Sequence, residues 1–400
     1  MALRRRTSAR SPAPPLAPDT LALLLLLLPL LLLLMQAGLM TGCEAQGDDS
    51  ELIPVPGFTT PQKIAMAEKA ALLAFAAAFG NHPIFAKYGS WANVSLGMTY
   101  ETSKPCVQFW KFITCDEEGR INAIDIDNAY MVALNPAFAR GRKPGPLRGV
   151  IPWSKMRALS NLMLLNVAGN EVSGPVLPPT IFRFPKLKEI ICMDNKMVGP
   201  IPNTLSTLKS LQKLDVSMNR ITGRIPPGIA TLTNLTSLAV SYNQMSGALP
   251  PGLGNLRQLR TLDLGGNAFQ GPMPASWGNL KKLKSLNLQK LNLGGAVPAA
   301  WAGMVSLKHF VASATLMRGR FPSVLLKLPR ISDIVLYNNF LWGQLPPAAQ
   351  LFAPKALTHL DVSANYLSGA VPKVPAGRQI EFRFSSNCFL PKPGPKCKRS

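Results

Sequence analysis

Leu211-Gln-Lys-Leu214-Asp-Val216-Ser-Met-Asn219-Arg-Ile221-Thr-Gly223-Arg-Ile225-Pro226 is followed by Leu235-Thr-Ser-Leu238-Ala-Val240-Ser-Tyr-Asn243-Gln-Met245-Ser-Gly247-Ala-Leu249-Pro250. The second line repeats the first, 24 residues on. Working outward, the leading apolar residues are Leu162, Leu187, Leu211, Leu235, Leu259, Leu283, Leu307, Ile331 and Leu357. Their spacings are 25, then 24 six times, then 26. Self-similarity at such a period predicts a solenoid, because one short unit cannot bury its apolar side chains alone and stacked units can. Within each line the LxL segment predicts a short strand with alternate residues inward, so the stack makes one long parallel sheet.

The Asn that ends the first half of each line suits a turn, where its amide can bond backbone groups and form a ladder. That column reads Asn170, Asn195, Asn219, Asn243, Asn267, Leu291, Thr315, Asn339, Asn365, so two adjacent repeats lack the rung. The second half, LxGxIP, carries a Gly for tight backbone geometry and a Pro that fixes φ.

The line LxxLxLxxNxLxGxIP resembles the plant-type class of leucine-rich repeats. That class includes ectodomains of plant receptor-like kinases, receptor-like proteins and polygalacturonase-inhibiting proteins. The resemblance covers roughly Leu72 to Cys397. It implies an α/β solenoid: a right-handed leucine-rich-repeat superhelix of about ten repeats with a parallel concave β-sheet. It also implies an extra short strand at the LxG segment, disulfide-bonded N- and C-terminal caps, and use in protein or peptide recognition without catalysis. The Trp277 and Trp301 lines also look like the repeat surface antigens of trypanosomatids, which are recognition proteins as well.

The remaining chain is read around this array. Residues 1–45 resemble a targeting segment: Arg4, Arg5, Arg6 and Arg10 precede an apolar run from Leu21 to Met40, with Cys43-Glu-Ala45 as a cleavage-like pattern. The run has 20 residues, long enough for an uncleaved anchor as well as a cleaved signal peptide, so any membrane attachment would run through this segment. Either way the repeats are expected outside the cytosol, secreted or at the cell surface. Residues 46–60 read as an acidic spacer, 61–120 as the N-terminal cap, 121–372 as repeats and 373–400 as the C-terminal cap.

A helix is predicted over roughly Gln62 to Phe79, lying across the open end. Ser90-Trp91, Cys106-Val-Gln-Phe-Trp110-Lys-Phe-Ile-Thr-Cys115 and Gly119-Arg-Ile121 resemble the family's N-terminal cap. The copy departs from that pattern in a wider cysteine pair, Phe112 where Gly is usual, and a long loop after Trp91. In the first repeat the LxGxIP half is displaced to Leu147-Arg-Gly149-Val-Ile151-Pro152. About 16 residues are thus inserted, bearing Arg140, Arg142 and Lys143; repeat-protein insertions map to loops. Phe384 to Cys397 resembles the C-terminal cap. By that resemblance, and because exported caps carry paired cysteines, Cys106 with Cys115 and Cys388 with Cys397 read as disulfides. Cys192 stands at an inward leucine position and reads as a buried free thiol. Asn93-Val-Ser95 and Asn234-Leu-Thr236 are glycosylation sequons.

The net charge is +23, favouring acidic partners or a solvated basic face. Outward strand positions make Arg260, Lys284 and Lys308 three consecutive cations in one column. At strand spacing they repel by about 1 kcal/mol each even in water, so an anionic ligand or relief by Asp263 is expected. Lys290, His309, Tyr242 and Tyr337 flank that column. Before the repeat glycines, Trp342 replaces the usual small polar residue with Arg318 one repeat back, as an interface anchor or a covering cation–π pair. No catalytic motif or metal-ligand cluster is present in the sequence, and no cofactor is implied. The partners expected are an extracellular protein or peptide, acidic in character, or an anionic polysaccharide, and not nucleic acid.

Overall fold

The computed structural model describes residues 60–80, 113–117, 120–127, 146–177 and 184–389. The targeting segment, the acidic spacer, Asn93, Cys106, the insert with its basic residues and Cys397 lie outside the described residues. Everything described falls in one unit, Phe58–Ser400.

The main sheet has twelve strands in chain order. Ile113–Cys115 pairs antiparallel with Ile121–Asp125, and every later strand is added parallel, ending with Glu381–Arg383. Equivalent residues stand side by side: Leu214 faces Leu238, which faces Leu262, which faces Leu286. The leading residues of the repeats are at most 1% exposed. One continuous core of Leu, Ile, Val and Phe runs the length of the stack, as the period requires.

On the far side of the core the middle repeats close with 3-10 turns, such as Asn203–Thr207 or Ala275–Asn279, whose central apolar residue is buried, and Ala348–Leu351 forms an α-helical turn in the same place. Pro250 and Pro274 enter these turns in extended conformation, which their fixed φ allows. The LxG halves form a second ladder, as the resemblance implied. It is split in two: six strands from Arg148–Val150 to Ala268–Gln270, then four from Arg318–Gly319 to Cys388–Phe389.

The N-terminal helix spans Thr60–Ala78 and packs Leu72, Phe75 and Phe79 into the core. Its Glu68 is 2% exposed and accepts a 3.4 Å hydrogen bond from the Ile121 amide. Burial pushes this carboxyl up to about 7. Among the described residues no helix is long and apolar enough to cross a membrane.

Cys115 and Cys388 are each disulfide-bonded. Cys192 is free and fully buried, and burial pushes its thiol up to about 12, so it is unreactive core.

The Asn ladder is built as the turn chemistry demands. Asn219 donates to the carbonyls of Cys192, Val216 and Ser217 at 2.8, 3.2 and 3.0 Å, and accepts from the Met197 amide at 2.9 Å. Asn195, Asn243, Asn267 and Asn339 repeat the pattern. The ladder reaches one rung further than the repeats suggested, to Asn387, which accepts from the Leu367 amide. At the two exceptions the outcomes differ. Leu291 makes no rung, whereas Thr315 keeps part of one: its hydroxyl donates 2.9 Å to the Ala312 carbonyl and meets Asn339 Oδ1 at 3.0 Å.

Candidate recognition surface

The strand residues that point away from the core form the floor of the concave face. In the middle repeats that floor is small and mostly polar: Ser237 and Ala239, Thr261 and Asp263, Ser285 and Asn287. Arg260, Lys284 and Lys308 stand at one rim, exposed on consecutive repeats. The Lys284 amide donates to the Arg260 carbonyl at 2.7 Å, and the Lys308 amide to the Lys284 carbonyl at 2.8 Å. Among the described residues no carboxylate pairs with any of the three. Asp263 does not relieve them. Its carboxylate accepts from Ser241 Oγ at 2.9 Å and from the Gly265 amide at 3.2 Å, and burial raises its pKa above the usual range.

The opposite rim follows the strands. The residue just before each rung position, whether Asn or one of the two exceptions, is left-handed in repeat after repeat: Asp194, Met218, Tyr242, Lys290, Ala314 and Asn338 all have φ between 52° and 56°. This conformation is uncommon for bulky L residues and turns their side chains along the rim. Tyr242 takes advantage of Gly266 in the next repeat, where an added Cβ would come within 2.8 Å of its ring. The ring thus reaches two repeats on. Its hydroxyl accepts a 3.0 Å bond from Gln289 Nε2, and Lys290 Nζ lies 5.6 Å from its centroid. Tyr242 and Lys290 form one unit; Tyr337 stands further along the same rim, 39% exposed.

His309 is placed differently from the cations it was grouped with. Its Nδ1 lies 2.6 Å from Asp333 Oδ2, which also accepts a 2.5 Å bond from Ser332 Oγ. Register places His309, Asp333, His359 and Glu381 in one row across four strands. His359 Nδ1 is 3.0 Å from Glu381 Oε2. Arg383 beside Glu381, and then His359, hold that carboxyl below its usual range. His309 therefore belongs to this hydrogen-bonded row rather than to the open cationic rim.

On the lateral face the expected Arg318–Trp342 pair does not form. The second ladder is staggered by two residues, so Arg318 faces Phe340. The Arg318 guanidinium lies 5.5 Å from the Phe340 centroid, and Arg320 takes the place over Trp342 at 5.8 Å. Equal spacing in sequence had suggested side-by-side columns, which hold in the main sheet only. Asn234 is exposed and donates from Nδ2 to the Lys209 carbonyl at 2.9 Å, which leaves its second amide hydrogen free.

Residues 209–269 match a family model for leucine-rich repeats. No curated protein matches the chain. Among solved structures, the plant peptide hormone receptor RGFR1, in complex with RGF2, is 30% identical with a TM-score of 0.58. That match covers 62% of this chain and 39% of the receptor. PEPR1, solved with AtPEP1, is 22% identical with a TM-score of 0.63 over 81% of this chain and 45% of its own. A plant ice-binding protein is 23% identical with a TM-score of 0.65, covering 84% of this chain and 99% of its own. The chain thus spans less than half of the two receptors and nearly all of the third protein. With the period, the Asn rungs and the second ladder already in place, these likenesses show a leucine-rich-repeat solenoid like those of the plant proteins it matches.

Proposed function

We propose that the chain is an extracellular recognition module that binds a protein or peptide ligand on the concave face and performs no catalysis. The observation that carries this reading is the rim of Arg260, Lys284 and Lys308. Three like charges stand on adjacent repeats with no carboxylate partner among the described residues. A rim built only for stability would alternate its charges, since like charges on neighbouring strands are destabilising. The small floor gives an extended ligand room, and Tyr242 and Tyr337 on the far rim offer the apolar contact area that anchors interfaces. The cations would steer and register an acidic ligand. The likeness to RGFR1, a plant peptide hormone receptor solved in complex with RGF2, supports the same reading.

The test is a pull-down from extracellular extract with the wild-type chain and two triple variants. Arg260→Ser/Lys284→Ser/Lys308→Ser removes the rim. Lys281→Ser/Lys282→Ser/Lys327→Ser removes exposed cations near the 3-10 turns. Loss of the bound protein in the first variant alone supports the groove. Equal loss in both means that the chain acts as a diffuse polycation. In that case the reading moves to a structural matrix protein that holds anionic polysaccharide by charge, with retention falling steeply as salt rises.

A further inference from the structure

The lateral face has a feature that the concave reading does not use. Strand pairing in the second ladder stops after Ala268–Gln270 and resumes at Arg318–Gly319, with only a single bridge, Gln270 to Asn292, in between. The chain crossing the gap carries Leu291 in place of a rung and Gly294-Gly295 in place of side chains. An open notch of about 270 Å³ results, lined by Val297, Met317, Phe321 and Pro322 together with Arg318 and Arg320.

Immediately beyond the notch, large apolar side chains are exposed on neighbouring strands. Phe340 is 38% exposed, Trp342 52% and Tyr366 37%. The matching positions on the six-stranded part include Glu171, Ser173, Lys196, Val198, Arg220, Thr222, Gln244, Ser246, Ala268 and Gln270, with no aromatic among them. Phe340 and Tyr366 stack at 6.0 Å with an interplanar angle of 12°, and Trp342 faces Tyr366 in the ladder register. Arg318 covers Phe340 and Arg320 covers Trp342. Phe340 thus meets both Tyr366 and Arg318, while Trp342 has Arg320 over its ring and stays half exposed. Exposed aromatic surface and arginines without an ion pair therefore share this face. Neither Arg318 nor Arg320 is ion-paired among the described residues.

We infer that this lateral face is a second docking surface, which takes an extended peptide segment of a partner protein that carries a carboxylate beside a large apolar side chain. Two arginine forks at the mouth of the notch suit a carboxylate, which accepts paired hydrogen bonds from guanidinium. The notch walls are apolar beside them, and the exposed aromatic rings extend the apolar contact. A neutral sugar chain fits this surface worse, because it offers the two guanidinium groups no carboxylate. The surface is separate from the concave rim, so each can fail without the other.

The experiment selects a random decapeptide library displayed on phage against the full chain. The same selection is run on Arg318→Ser/Arg320→Ser, on Trp342→Ser, and on the concave triple variant Arg260→Ser/Lys284→Ser/Lys308→Ser. All three altered sites are exposed, and thermal melting checks that each variant is folded. The expected result is enrichment of peptides with Asp or Glu next to a large apolar residue. Their binding should fall at least tenfold on both lateral variants and stay unchanged on the concave one. Arg318→Lys/Arg320→Lys, which keeps charge but not the fork, should lose part of the binding. Absence of enrichment, enrichment indifferent to the lateral variants, or displacement of the peptides by an oligouronate that itself needs Trp342 would each overturn the inference.

Discussion

The repeat led by Leu211 and the repeat led by Leu283 have the same length and bury the same leading leucines, yet they are held together differently. In the first, Asn219 ties three carbonyls and an amide of its neighbour, and the second ladder is continuous on both sides. In the second, Leu291 ties nothing and the second ladder is broken. What the Leu283 repeat has instead lies at the two 3-10 turns that flank its strand, Ala275–Asn279 before it and Ala299–Gly303 after it. Trp277 and Trp301 are fully buried, stacked at 6.0 Å, and donate their indole N–H groups to the carbonyls of Pro250 and Pro274. A Cβ at Gly278 would lie 2.1 Å from the Ala300 carbonyl oxygen, so the backbones there are as close as glycine permits. The difference teaches that a repeat can move its anchorage from one side of the core to the other, which frees the lateral face to open.

The largest effect that would break this comparison is at the tryptophans. Trp301→Ala should lose about 4 kcal/mol, since it removes a large buried ring, its stack and a satisfied donor. Leu253→Ala, the same turn position in a regular repeat, should lose less, about 3 kcal/mol. Urea unfolding of the two variants checks the order; equal losses would mean that the tryptophans are mere filling.

Next comes the rung itself. Asn219→Leu leaves three carbonyls and one amide without their side-chain partner at a buried position, an expected loss of about 3 kcal/mol. The reverse change, Leu291→Asn, has the carbonyls of Leu264, Leu288 and Gln289 and the Phe269 amide within the geometry of a rung. It gives up the burial of a leucine that is 3% exposed, so the net gain should be only about 1 kcal/mol. Thr315→Ala should lose about 1 kcal/mol, because its hydroxyl keeps a partial rung. A loss at Thr315 as large as that at Asn219 would contradict the distinction between the two exceptions.

These predictions also mark what was legible in the sequence. The period fixed which residues face the core, because burial follows strictly from stacking identical units. The two missing rungs were visible as Leu291 and Thr315, but their consequences were not. A hydroxyl can stand in for an amide when a carbonyl lies in reach, and only coordinates show that Ala312 provides one. The lateral pairing was misread because the second ladder is staggered, so Arg320 rather than Arg318 meets Trp342. Phe340 and Tyr366, by contrast, each follow a rung asparagine, so their stack lies within one column of the repeat. The Tyr242–Gln289 contact depends on an absent side chain at Gly266, a signal present in the sequence only once the left-handed rim is known. The expected pairing of His309 with an open cationic rim failed because Asp333, in register beside it, claims the imidazole.

The smallest effect is the most local. In the regular repeats the amides of Ile221 and Met245 donate to Asn243 and Asn267 at 2.9 and 3.0 Å. The equivalent amide in the next repeat is that of Phe269, and the rung that would reach it is missing at Leu291. Phe269 is itself fully buried, so its amide differs from the other two in hydrogen bonding rather than in burial. Loss of one such bond lowers the cost of local opening by about 1 kcal/mol. Exchange at Phe269 should therefore run several-fold faster than at Ile221 or Met245, with the global stability unchanged. Leu291→Asn should slow it to the rate of its neighbours while leaving Ile221 untouched. Equal exchange at all three amides in the wild-type chain would show that the broken ladder costs nothing locally. The tryptophan stack would then be a change of packing rather than a relocated anchorage.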